Sequence, residues 1–142
     1  MNLLIINGPN LNMLGIREPE IYGRQDYSTL CTFIKAAAEE VGATCEIFQS
    51  NHEGAIVDKI QGALGRFDGI VINPAAYTHT SVAIADALSA IALPTVEVHL
   101  SDITQRETFR QHSFVAPIAK KTFMGKGFEG YRLAIRFLAD NS

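Results

Sequence analysis

The chain has 142 residues, 47% of them hydrophobic and 19% charged, with a formal net charge of −3. That length suits one domain spanning residues 1–142 and excludes an eight-fold β/α barrel, which needs ~250 residues. The mild acidity excludes the basic footprint of non-specific nucleic-acid or anionic-membrane binding, while a local arginine cluster can still hold an acidic small molecule.

The N-terminus, Met1-Asn2-Leu3-Leu4-Ile5-Ile6-Asn7, carries no basic leader, and its apolar run is too short for a signal segment. No apolar stretch approaches the ~20 residues of a membrane span, so a cytoplasmic protein is expected. Leu3 to Ile6 is a continuous branched run, the pattern of a strand buried on both faces. Gly8 to Gln25 is irregular, and so long a segment reads as an active-site loop or lid, with Gly15 and Gly23 as hinges. Asp26 then precedes a helical repeat through Tyr27, Leu30, Cys31, Ile34, Ala38 and Val41, which Gly42 closes. Thr44 to Phe48 predicts a second strand. Ser50 and Glu53 have capping-box spacing, ahead of Ile56, Ile60, Ala63, Leu64 and Phe67 on one helical face. Gly69 to Ile72 is a third buried strand. Thr80 and Ser81 can cap a helix carrying Ile84, Leu88 and Ile91. Pro94 opens a fourth strand from Thr95 to Val98. A short polar helix near Gln105 to Gln111 is expected to lead into a fifth strand near Phe114 to Ile118. The last helix runs from about Glu129 to Ala139, with Tyr131, Ile135 and Leu138 inward.

Strands alternating with helices over short connections build βαβ units and a parallel sheet covered on both faces. Five strands at this length predict an α/β, flavodoxin-like three-layer sandwich of strand order 2-1-3-4-5. Cys31 and Cys45 lie outside any C-x-x-C pattern and read as small buried apolar residues in a reducing compartment. Gly125-Lys126-Gly127-Phe128-Glu129-Gly130 matches G-x-G-x-x-G at the wrong end of the chain for a dinucleotide site, and reads instead as a tight turn and a close helix start. His52, His79, His99 and His112 lack metal-ligand spacing, so no metal site is expected.

Ligands of open parallel sheets sit outside the carboxyl ends of the strands. There the chain places Asn10, Asn73 and His99. Turn chemistry accounts for the two asparagines but not for the histidine. Glu97 and His99 are two apart in a strand and so share a face, where a carboxylate can fix the tautomer of an imidazole. In the long loop Tyr22 lies between Arg17 and Arg24. A free tyrosine of pKa ~10 is about 0.1% phenolate at neutral pH, a deficit of ~4 kcal/mol that nearby guanidinium groups reduce. A solvated charge cluster on a surface loop is the competing reading. The fold alone is equally consistent with a non-catalytic module binding a nucleotide or flavin.

Six stretches together closely resemble the type II 3-dehydroquinate dehydratases of the shikimate and quinate pathways. They are Ile6-Asn7-Gly8-Pro9-Asn10-Leu11, Arg17 to Gly23, Gln49-Ser50-Asn51, Ile72 to Ser81, Glu97-Val98-His99-Leu100-Ser101 and Phe109-Arg110-Gln111-His112-Ser113. The resemblance implies that Tyr22 is the general base at C2 of 3-dehydroquinate, with Arg17 lowering its pKa and stabilising the transition state. It implies that His99 is the general acid for the C1 hydroxyl, oriented by Glu97, and that Asn10 holds a water near the enolate oxygen. Asn73 and the amides of Leu100 and Ser101 would bind the carboxylate region, and His79 and Arg110 the ring hydroxyls. Asp86 corresponds to a residue that reaches a neighbouring subunit, and Arg106 to a further arginine near the pocket. No cofactor is implied. The implied partners are the small-molecule substrate and copies of the same chain, as trimers associating into a dodecamer. The run from Lys120 to Gly127 is bulkier and more basic than the family's usual one, a departure that touches no implied catalytic residue.

Overall fold

In the computed structural model, which describes residues 1–16 and 25–142, five strands form one parallel sheet of order β2-β1-β3-β4-β5. They are β1 (Asn2–Asn7), β2 (Thr44–Gln49), β3 (Gly69–Asn73), β4 (Thr95–His99) and β5 (Lys121–Met124). The helices are α1 (Tyr27–Glu40), α2 (Glu53–Gln61), α3 (Val82–Ile91) and α4 (Glu129–Asp140). The expected flavodoxin-like order is the observed one.

Side chains alternate along each strand and feed two separate cores. Leu3, Ile5, Val71, Val96 and Val98 pack with α1 and α4 through Leu30, Ile34, Tyr131, Ile135 and Leu138. Leu4, Ile6, Ile70 and Ile72 pack with α2 and α3 through Ile56, Ile60, Ile84 and Leu88. Each fully buried aliphatic side chain contributes about 1.5–3 kcal/mol of transfer free energy, so the double-sided burial of β1 and β3 anchors the sheet. The same parity sorts the polar strand ends. Asn7 and Asn73 fall on the α1/α4 side, Glu97 and His99 on the α2/α3 side.

Local signals fix the helix starts. Asp26 Oδ1 accepts from Thr29 N at 2.8 Å, and Ser81 Oγ accepts from Ile84 N at 3.0 Å. Where β1 leaves the sheet, Gly8 N donates to Asn73 O at 2.8 Å, and a Cβ added at Gly8 would lie 2.4 Å from Pro74 O. Only glycine therefore lets the exits of β1 and β3 run this close. In the core shared with α1 and α4, a Cβ on Gly130 would lie 3.2 Å from Val98 Cγ1, so glycine lets α4 settle against β4. This is the close helix start expected of the glycine-rich run, and Gly125 and Gly127 supply its turn at φ +76° and +56°.

The structure corrects several local expectations. The fifth strand is Lys121–Met124, not Phe114 to Ile118. The earlier stretch folds into a turn in which Ile118 N and Ala119 N both donate to Val115 O, and Val115 packs under α2 and α3. Pro117 lacks the N–H a strand needs there. The expected polar helix is two short 3-10 turns, Ile103–Gln105 and Thr108–Arg110. Ser50 does not form a capping box, because α2 begins later, after His52, and Ser50 Oγ accepts from His52 N at 3.0 Å instead. Leu64 lies beyond the end of α2 and is 62% exposed. Cys31 and Cys45 are free thiols and half-buried rather than fully buried. No described helix is long and apolar enough to cross a membrane.

Candidate active site

The strand registers bring the polar ends together. Asn7 of β1 is level with Asn73 of β3, and Ile72 of β3 is level with Glu97 of β4. Asn73 therefore stands beside Val98, one residue before His99. This is the carboxyl edge of the three central strands, where an open α/β sheet binds its ligands.

Glu97 and His99 form the charged centre of this edge. Glu97 is 0% exposed and His99 5%. Glu97 Oε2 accepts from His99 Nε2 at 2.6 Å and from Ser113 Oγ at 2.5 Å. Its Oε1 accepts from Thr122 Oγ1 at 2.9 Å, because Thr122 is the residue of β5 in register with Glu97. Burial pushes the Glu97 pKa up, but hydrogen bonds from His99, Ser113 and Thr122, with the charge of His99, outweigh it and hold the carboxyl below its ordinary value. An ionised carboxylate only accepts, so His99 Nε2 carries a hydrogen, and Nδ1 is the ring nitrogen that Glu97 does not engage.

A depressed folded pKa contributes stability that is fully present above the unfolded value of about 4.3 and is lost as pH falls through the lower folded value. Glu97→Gln is expected to cost about 2 kcal/mol at pH 7, because an amide cannot accept from all three donors. Urea unfolding of both proteins checks the sign: the gap should shrink between pH 5 and pH 3. An equal gap at pH 7 and pH 3 would contradict an ionised Glu97.

On the other face a second polar cluster joins β1, β3, α1 and α4. Tyr131 OH donates to Asn7 Oδ1 at 2.6 Å and accepts from Asn73 Nδ2 at 3.1 Å. Asn7 Nδ2 lies 3.4 Å from Tyr27 OH, and Asn73 Oδ1 accepts from Ala75 N at 3.1 Å. Burial pushes the Tyr27 hydroxyl up to about 12 and raises that of Tyr131 as well, so both stay protonated.

The remaining expected residues surround these two clusters. Asn10 is exposed at φ 70°, and its N donates to Asn51 Oδ1 at 3.0 Å. Gln49 Nε2 ties Asn51 Oδ1, Asn12 Oδ1 and Gly8 O together at 3.1–3.2 Å. His79 Nδ1 donates to His112 O at 2.8 Å, which leaves Nε2 as an acceptor for a hydroxyl. Arg110 Nε lies 3.0 Å from Glu107 Oε2 as an ion pair without hydrogen-bond alignment. Leu100 and Ser101 follow directly on the end of β4. Arg106 ends the first 3-10 turn after β4. Asp86 stands apart, on the exposed face of α3. Arg17, Tyr22, Gly23 and Arg24 lie outside the described residues. The stems of their segment meet, since a Cβ on Gly15 (φ +82°) would touch Asp26 Cβ at 2.9 Å.

Sequence reasoning did not assign Ser113, Thr122 or Tyr131 to the site. Ser113 closes a stretch already singled out, so its position beside Arg110 was the available signal. Thr122 had none, since the fifth strand was misplaced. Among the described residues no cluster of His, Cys, Asp and Glu could hold a metal ion. A cleft of about 530 Å³ opens at the opposite end of the sheet, lined by Asp68, Pro94, Lys120, Phe137 and Leu138 among others. Its one acidic side chain, Asp68, already accepts from Asn2 N at 2.6 Å, and the cleft gathers no convergent polar groups comparable to the Glu97 network.

The chain matches the family described as dehydroquinase class II over residues 1–139. It is 55% identical over 140 residues to catabolic 3-dehydroquinase 1 of Aspergillus terreus, covering 99% of this chain and 92% of that protein. It is 54% identical over 136 residues to the 3-dehydroquinate dehydratase of Geotalea daltonii, covering 96% and 94%. Among solved structures it resembles a type II dehydroquinase from Butyrivibrio crossotus DSM 2876 at a TM-score of 0.92 and 49% identity, over 100% of this chain and 98% of that one.

Proposed function

The chain belongs to the class II dehydroquinase family, and we propose that the edge around Glu97 and His99, completed by Arg17 and Tyr22, dehydrates 3-dehydroquinate to 3-dehydroshikimate. The enzyme is a hydro-lyase of the shikimate pathway or of quinate breakdown. The observation that carries the site assignment is the Glu97–His99 contact of 2.6 Å at the carboxyl end of β4.

The chemistry needs a base, a stabilised oxyanion and an acid. The C3 ketone acidifies the C2 proton. Tyr22, held as phenolate by Arg17, takes that proton, and the electron pair moves onto the C3 oxygen as an enolate, beside a water held by Asn10. The enolate collapses, the C1–C2 double bond forms and the C1 hydroxyl leaves on the opposite face. It takes the Nδ1 proton of His99 and departs as water. Passing the proton from Tyr22 back to His99 resets the site, and no metal or cofactor takes part. Asn73 and the amides of Leu100 and Ser101 bind the carboxylate region, while His79 and Arg110 take the ring hydroxyls.

Asp86 serves a neighbouring subunit's site in this reading, which its exposed position on α3 supports. Trimers associating into a dodecamer would also add burial that so small a core lacks. The enzyme is read as cytoplasmic. Because the route runs through an enolate and not an imine, borohydride added with substrate is expected to leave the enzyme active. Irreversible inactivation would instead point to a lysine Schiff base.

A further inference from the structure

We propose that Tyr131, on the last helix and remote in sequence from every expected site residue, is a positioning residue for substrate binding. Its hydroxyl, relayed to Asn7, sets the Asn73 amide so that an N–H faces the substrate carboxylate. The inference rests on the reading of Asn73 as a carboxylate-binding residue and explains how that side chain is held.

The polarity of the relay follows from its fixed groups. Ala75 N is a backbone donor, and it occupies Asn73 Oδ1 at 3.1 Å. The Nδ2 of Asn73 must then lie on the opposite side of the amide, where one hydrogen goes to Tyr131 OH at 3.1 Å. Tyr131 has a single hydrogen, and it goes to Asn7 Oδ1 at 2.6 Å, so the hydroxyl meets Asn73 as an acceptor. The second hydrogen on Asn73 Nδ2 is what the amide has left to offer a ligand, and a donor suits a carboxylate.

Tyr131 is 0% exposed and Asn73 3%, so water does not offer an easy substitute partner. The arrangement depends on packing seen above. Gly130 lets α4 close on β4, which brings the next residue, Tyr131, under the ends of β1 and β3. Ala75, at φ 53°, holds a backbone conformation that L side chains rarely adopt, and the turn that presents its N–H to Asn73 is fixed with it. A phenylalanine at 131 would fill the same core volume while leaving the Asn73 amide without its acceptor.

The test is a set of steady-state measurements with 3-dehydroquinate on Tyr131→Phe, Asn73→Ala and the double variant. Tyr131→Phe is expected to raise KM about ten-fold with kcat within about two-fold, the split of lost uniform binding. Asn73→Ala should raise KM at least as much, and adding Tyr131→Phe to it should raise KM no further. Should Tyr131→Phe not fold, Asn7→Leu removes the acceptor that orients the tyrosine hydroxyl and should give the same rise. A KM unchanged in Tyr131→Phe, or in Asn7→Leu, beside a raised KM in Asn73→Ala would overturn the positioning role alone. Additive effects in the double variant, or a loss of kcat at constant KM, would overturn it too. An unchanged KM in Asn73→Ala would overturn the binding reading and the inference with it.

Discussion

His99→Ala is expected to lower kcat about 1,000-fold while KM for 3-dehydroquinate changes only a few-fold. The departing C1 hydroxyl is a poor leaving group, and the acid that protonates it acts in the transition state only. Ser113 Oγ and Thr122 Oγ1 still donate to Glu97 in the variant, at 2.5 and 2.9 Å in the parent, so the buried carboxylate keeps two of its three partners. The protein should therefore stay folded with a lowered melting temperature. Circular dichroism beside the rate separates the two effects. A variant that is fully folded and turns over at the parent rate would remove His99 from the mechanism.

Tyr22→Phe is expected to reduce turnover by about 1,000-fold or more, because it deletes the proposed base and keeps the ring. An unperturbed phenol is about 0.1% ionised at neutral pH, and in the proposed mechanism Arg17 closes that gap of ~4 kcal/mol. Phenylalanine has no oxygen for the arginine to act on, and the deficit cannot be recovered by raising the pH. Substrate binding by the Glu97–His99 edge should survive, so KM should move little. A Tyr22→Phe protein with parent-like kcat would show that the proton leaves C2 by another group.

The sheet was legible because β1 and β3 are buried on both faces and read as unbroken branched runs. The Glu97–His99 pair was legible because strand period places residues two apart on one face. The fifth strand was not. Lys121–Met124 lies at the sheet edge with Lys121 exposed, so it lacks a long apolar run, while the more apolar stretch at Phe114 to Ile118 carries Pro117 and turns. The helical period of α4 correctly placed Tyr131 inward, but period alone does not say what a buried hydroxyl reaches. Its partners, Asn7 and Asn73, are 124 and 58 residues away along the chain. Ser113 lay in a stretch already singled out, but its role is set by the buried carboxylate 16 residues away that it meets, and Thr122 had no signal once the fifth strand was placed elsewhere.

The measurement that tests the central claim most directly is formation of product by the purified wild-type protein. With 3-dehydroquinate, a metal chelator and no added cofactor, the ultraviolet absorbance of the conjugated enone should rise at a catalytic rate. A folded wild-type protein that leaves 3-dehydroquinate unchanged under those conditions would contradict the account.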